Sequence, residues 1–177
     1  MAKQIPNAKK KIFTVAKKHL FEKGYVGLTL RQVATQSGMA VGTIYNYFPS
    51  KDILVASIMA EDWQAYLKAM KKACTTASSA EQGVRTIYDA IEEYTKKYQP
   101  IWKEYKGMPS GFGQRHLMLR NQLSDLLAEL LEDLGHKEDA TLCPLLAETV
   151  LACAMHKDIP YSMLSDMVAR LFPLIKS

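Results

Sequence analysis

Nine positions between 29 and 51 are the candidates for chemistry: Thr29, Arg31, Val41, Gly42, Thr43, Tyr45, Asn46, Tyr47 and Lys51, all but Val41 and Gly42 with polar side chains. The hydroxyls of Thr29, Thr43 and Tyr45 can donate to phosphate oxygens, and Arg31 and Lys51 add charge to such bonds. Asn46 carries a donor and an acceptor side by side, the pattern that the adenine edge complements. Phosphate contacts set position on a polyanion, and contacts to base edges set preference among sequences.

The elements that must hold these groups can be read from the same stretch, TLRQVATQSGMAVGTIYNYFPSKDI. Thr29 is a suitable N-cap, with Gln32 three residues on as in a capping box. Leu30, Val33 and Ala34 give the helix an apolar face, and Gly38 permits the left-handed exit of a tight turn. A second helix is expected over Val41–Tyr47, with Val41, Ile44 and Phe48 inward. Pro49 disfavours helical geometry at Phe48. Ser50 caps the next helix, and Asp52 in its first turn suits the helix dipole. Two short helices joined by a glycine-containing turn are a helix-turn-helix, whose second helix enters the major groove. Any helical hairpin could show the same hydrophobic pattern, so the residue identities have to decide.

Those identities resemble the DNA-binding domain of the TetR family of bacterial transcriptional regulators. The matching pieces are Ile12, Ala16, Leu20-Phe21, Gly24-Tyr25, Leu28-Thr29, Val33-Ala34, Gly38, Gly42-Thr43-Ile44-Tyr45, Tyr47-Phe48 and Ser50-Lys51. One departure is Ala40, where many members carry a serine that caps the recognition helix; here the cap is weaker or falls to Ser37. The resemblance implies phosphate contacts by Thr43 and Tyr45, backbone anchoring by Thr29, Arg31 and Lys51, and base-edge proximity for Val41, Gly42, Asn46 and Tyr47.

Charge follows the motif. Residues 1–51 hold nine Lys and Arg against one acid, Glu22, a balance of +8 within a chain of net charge +5. Neutralising phosphate releases counterions, so basic charge concentrated on this third suits a nucleic acid. Lys9, Lys10 and Lys11 oppose the dipole of the first helix; they fit either an arm reaching phosphate or a frayed, solvated start.

The remainder reads as all-α, with about nine helices in the whole chain and no convincing strand. Residues 1–52 are expected to form the helix-turn-helix domain, and 53–177 a helical regulatory and dimerisation domain. A long helix from Lys51 to about Cys74 begins beside the recognition helix. A helix from Glu81 to about Tyr98 is expected to kink or end at Pro100. Leucine-rich Gln114–Leu134 follows, and then Thr141–Met155 and Pro160–Phe172. By the family's pattern the last two helices pair across a two-fold axis, with Leu146 and Val168 among the residues expected at that interface. Trp63, Tyr66, Tyr88, Tyr98, Trp102 and Met118 fall where the family surrounds its inducer. Tyr94, Tyr105, Met108 and Phe112 belong to the same aromatic and sulfur-rich group. Plain core is the competing reading of that group; a small apolar or cationic effector is the functional one.

Other chemistry finds no support. Cys153 and His156 are three apart, but a structural zinc site wants four ligands. There is no phosphate-binding glycine loop after a strand and no nucleophile elbow, so neither an enzyme nor a resident cofactor or metal is expected. Three cysteines at irregular spacing fit a reducing cytoplasm. No signal peptide and no membrane-spanning run is expected. The sequence therefore predicts a homodimeric DNA-binding regulator, a ligand-responsive repressor on a palindromic operator. The alternative is a TetR-like scaffold or regulator controlled by a protein partner, without a small-molecule inducer.

Overall fold

A computed structural model describes residues 7–105, 112–156 and 158–174, with side chains 112–114 excepted. Met108 and the Phe112 side chain lie outside the described residues. Among the described residues there are eight α-helices: α1 (Ala8–Gly27), α2 (Leu30–Ser37), α3 (Val41–Tyr47), α4 (Lys51–Cys74), α5 (Ala80–Glu104), α6 (Phe112–Asp133), α7 (Cys143–Met155) and α8 (Tyr161–Leu171). A 3-10 turn, Lys137–Leu142, precedes α7. The fold is all-α, with no strand among the described residues. No described helix is long and apolar enough to cross a membrane.

The chain divides into two compact units, Met1–Trp63 with Tyr98–Met108, and Gln64–Lys97 with Pro109–Ser177. In the first, α1 packs on α2 and α2 on α3. Ile12, Ala16, Leu20, Leu28, Val33, Ile44, Leu54 and Ile58 are almost wholly buried there. The Phe13 and Phe48 rings meet at 5.4 Å. A carboxylate also sits in this core. Asp62 is 5% exposed, paired with the Lys17 ammonium and accepting from the Tyr98 hydroxyl at 2.7 Å. A buried charge is tolerated only with such partners.

The second unit is built on α6, which packs against α7, with α8 against α7. Leu123, Leu127, Leu131, Leu146, Val150, Leu164 and Val168 form its core together with Val84, Ile87 and Ile91 of α5. Gly83 is there for space. A Cβ at this position would stand 2.4 Å from Leu130 Cδ2 and 2.7 Å from its Cδ1, and Leu130 is itself buried. Overpacking costs about 1–3 kcal/mol. Gly83→Val is therefore expected to lower stability by about 2 kcal/mol, read as a lower denaturant midpoint at unchanged slope.

Several boundaries differ from expectation. Helix α5 continues through Pro100 to Glu104. Proline removes one backbone donor, and burial of Tyr98, Ile101 and Tyr105 outweighs that loss. The helix before α8 begins at Cys143, later than Thr141, with Pro144 in its first turn, where no backbone N–H is needed.

Candidate nucleic-acid interface

Local chemistry sets the turn much as the residue types require. Thr29 Oγ1 accepts from the Gln32 amide at 3.2 Å. Gly38 adopts φ 65° and ψ 33°, and its N–H returns to α2 carbonyls; a residue with a Cβ would be strained there. Phe48 is extended, with φ −137° and ψ 94°, as its place before proline demands. The Ile53 amide donates to Ser50 Oγ at 3.2 Å, so Ser50 caps α4.

Ala40 stands at the N-cap of α3 with no side-chain cap bond. Ser37 does not replace it as a cap, being fully buried, with its hydroxyl donating to the Ala34 carbonyl at 3.1 Å. The first amides of α3 are thus left without a side-chain acceptor at the N-cap.

Only two residues of this helix region face inward, Ile44 at 0% and Phe48 at 3% exposure. Val41, expected to pack inward, is exposed. Ile44 and Phe48 fill the one buried stripe that a seven-residue helix offers. Val41, Gly42, Tyr45 and Asn46 are exposed, and Thr43 and Tyr47 partly so. They form a continuous outward face. Thr29 and Arg31 at the start of α2 are also exposed. A Cβ added to Gly42 would meet nothing within 4 Å. Glycine at that place costs about 1 kcal/mol of helix propensity against alanine, and nothing inside the chain requires it.

Cations flank this face. Lys11 Nζ lies 3.9 Å from where a Cβ on Gly38 would stand, beside the turn. Lys9 and Lys10 are exposed at the start of α1. Lys51 is partly buried, with its ammonium 3.9 Å from the Tyr25 ring centroid and donating to the Tyr25 carbonyl at 3.0 Å.

Residues 12–58 match the family model described as "Bacterial regulatory proteins, tetR family". Residues 12–58 are thus a TetR-family DNA-binding domain. Similarity to known regulators extends beyond that domain. The chain is 29% identical over 163 residues to an uncharacterized HTH-type transcriptional regulator in the dhlA 5' region of Xanthobacter autotrophicus, covering 88% of this chain and 76% of that protein. A TetR/AcrR family regulator from Thermobifida fusca has the same fold at TM-score 0.62 and 16% identity, covering 93% of this chain and 96% of that one. FadR from Bacillus subtilis in complex with stearoyl-CoA aligns at TM-score 0.53 and 20% identity, covering 95% and 100% of the two chains.

The aromatic residues considered for an effector divide between the two units. In the first, Trp63 and Tyr98 are buried, and Trp102 Nε1 donates to Met59 Sδ at 3.3 Å. In the second, Tyr66 donates to Glu93 at 2.8 Å and meets Tyr94 edge-on at 5.5 Å. Tyr88 lies 4.6 Å from the Tyr161 ring, with the Arg85 guanidinium 4.4 Å from the latter. Met118 is 47% exposed. Cys153 is buried and His156 exposed, so the pair does not converge.

Tyr25, Glu104 and Tyr105 stand out as neighbours of Lys51 and Asp52 that the motif alone does not indicate. Glu104 and Tyr105 are more than fifty positions from Lys51, and no local periodicity links them to it. Gly24-Tyr25 is legible in the sequence only as part of a motif, with no sign of what the ring touches.

Proposed function

We propose that this chain is a repressor that binds a roughly palindromic operator as a homodimer and releases it on binding a small effector. The carrying observation is the outward face of α3, Val41, Gly42, Tyr45 and Asn46, with the Lys11 ammonium beside the turn that leads into it. On this reading α3 enters the major groove. Thr43 and Tyr45 meet phosphate, with Thr29, Arg31 and Lys51 anchoring the backbone. Val41, Gly42, Asn46 and Tyr47 lie at base edges. A bare Gly42 suits a helix that comes within contact distance of DNA. Residues 53–177 carry regulation and dimerisation.

Support for self-association comes from the last two helices and the residues just after them. Leu145, Met163, Leu171 and Leu174 are 69%, 62%, 47% and 72% exposed, more apolar surface than solvated helices usually present together. Support for an effector is the stearoyl-CoA held by the Bacillus subtilis relative in fold and the aromatic content of α4 and α5. An apolar or cationic compound that displaces operator should change Trp63 or Trp102 fluorescence, and operator should weaken that compound by the same factor.

Selection from random duplexes with the full-length chain, followed by genomic binding, tests the reading. Recovery of a palindrome with half-sites about one helical turn apart, roughly 34–36 Å, is expected. Absence of any enriched sequence would sink it and favour a scaffold.

A further inference from the structure

Lys51 sits in a cradle built by residues remote from it in sequence, all within the first unit. Its ammonium contacts the Tyr25 ring face at 3.9 Å and the Tyr25 carbonyl at 3.0 Å. The next residue, Asp52, accepts the Tyr25 hydroxyl through its carboxylate. The Tyr25 ring meets Tyr105 edge-on at 5.3 Å and 72°, and the Tyr105 hydroxyl donates to the Asp52 carbonyl at 3.3 Å. Beside it, Glu104 Oε2 accepts the Val26 amide at 3.2 Å. Gly24, at φ +71°, turns the chain so that Tyr25 can reach this place; a Cβ there would stand 3.1 Å from Glu104 Oε2. Burial, followed by the bond to Asp52, pushes the Tyr25 phenol well up from its ordinary range, so it remains a donor.

A lysine side chain has many rotamers, and an ammonium free in solvent must lose them to meet a phosphate. An aromatic face and a carbonyl confine it beforehand, while Lys51 keeps part of its surface exposed. Resting on the DNA-binding reading above, we infer that Tyr25 is the residue that positions Lys51 for a phosphate, and that the end of α5 holds Tyr25 in place.

The test is a double-mutant cycle on a duplex selected by the full-length chain, read by fluorescence anisotropy over a potassium chloride series. Tyr25→Leu is expected to weaken binding about threefold to tenfold, the range of a cation–aromatic contact, and to lower the salt slope. In a Lys51→Ala background the same substitution should change affinity by less than about twofold. Tyr25→Phe keeps the face and should restore most of the loss. Equal losses in both backgrounds, or tighter binding by Tyr25→Leu, would overturn the inference while leaving operator binding intact. If Tyr25→Leu does not fold, Tyr105→Leu, which removes the edge-on neighbour, should give the same Lys51-dependent loss; a Lys51-independent loss there overturns it too. Lys51→Ala with full affinity removes both the phosphate contact and the cradle's role, whereas a wild-type chain that selects no duplex fails at the proposed function itself.

Discussion

The double variant Tyr45→Ala/Lys51→Ala is expected to lose about a hundredfold or more in operator affinity at moderate salt. Tyr45 is 47% exposed on the outer face of α3, and Lys51 opens α4 directly after it. In a two-fold dimer each substitution counts twice, so four backbone contacts go at once. Two of these are charged and release counterions, and the slope of log affinity against log salt should fall by about two. The loss should be nearly the same for every operator variant, since phosphate contacts carry no sequence information. Tyr47→Ala and Asn46→Ala are expected to behave differently, shifting preference among variants by about 1–3 kcal/mol at particular base pairs. Anisotropy titrations on a panel of single-base operator variants separate the two patterns. Full affinity in the double variant would show that α3 and the start of α4 do not dock as proposed.

A second large effect is expected in the helical unit. Val168→Asp should unfold it, with a loss of about 4 kcal/mol or more, because Val168 is 0% exposed and a carboxylate there has no partner. Leu146, at 2% exposure, should behave alike. The family's pattern puts both at the dimer interface, but each is buried within its own chain, so neither can report on association. Leu145→Asp and Met163→Asp are the informative changes, since these side chains are 69% and 62% exposed. Both should leave the thermal transition of the protomer nearly unchanged, because exposed substitutions rarely cost more than about 0.5 kcal/mol. Under the proposed dimer they should convert the chain to a monomer by sedimentation and abolish operator binding with it. A dimer that survives both together would exclude α7 and α8 as its interface.

The sequence by itself determined the helices and the turn of the DNA-binding unit. Capping at Thr29 and Ser50, the left-handed Gly38 and the extended Phe48 before Pro49 are governed by neighbours three or four residues away, so the signals were local and legible. The apolar stripe of α6 was legible for the same reason, whereas on α8 and its C-cap Leu164, Val168 and Phe172 are buried and Met163 and Leu171 are exposed. Tertiary structure decided what has no local signal. Val41 faces outward because Ile44 and Phe48 already fill the space beneath α3. Helix α5 passes through Pro100 because Tyr98, Ile101 and Tyr105 gain burial that propensity does not count. Tyr98 is a partner of Asp62 and Lys51 of Tyr25, although 36 and 26 residues separate them. Such pairings depend on which helix faces come together, and that choice is made by the packing of the whole unit, where a buried carboxylate or a confined ammonium needs whichever partner the fold brings within reach.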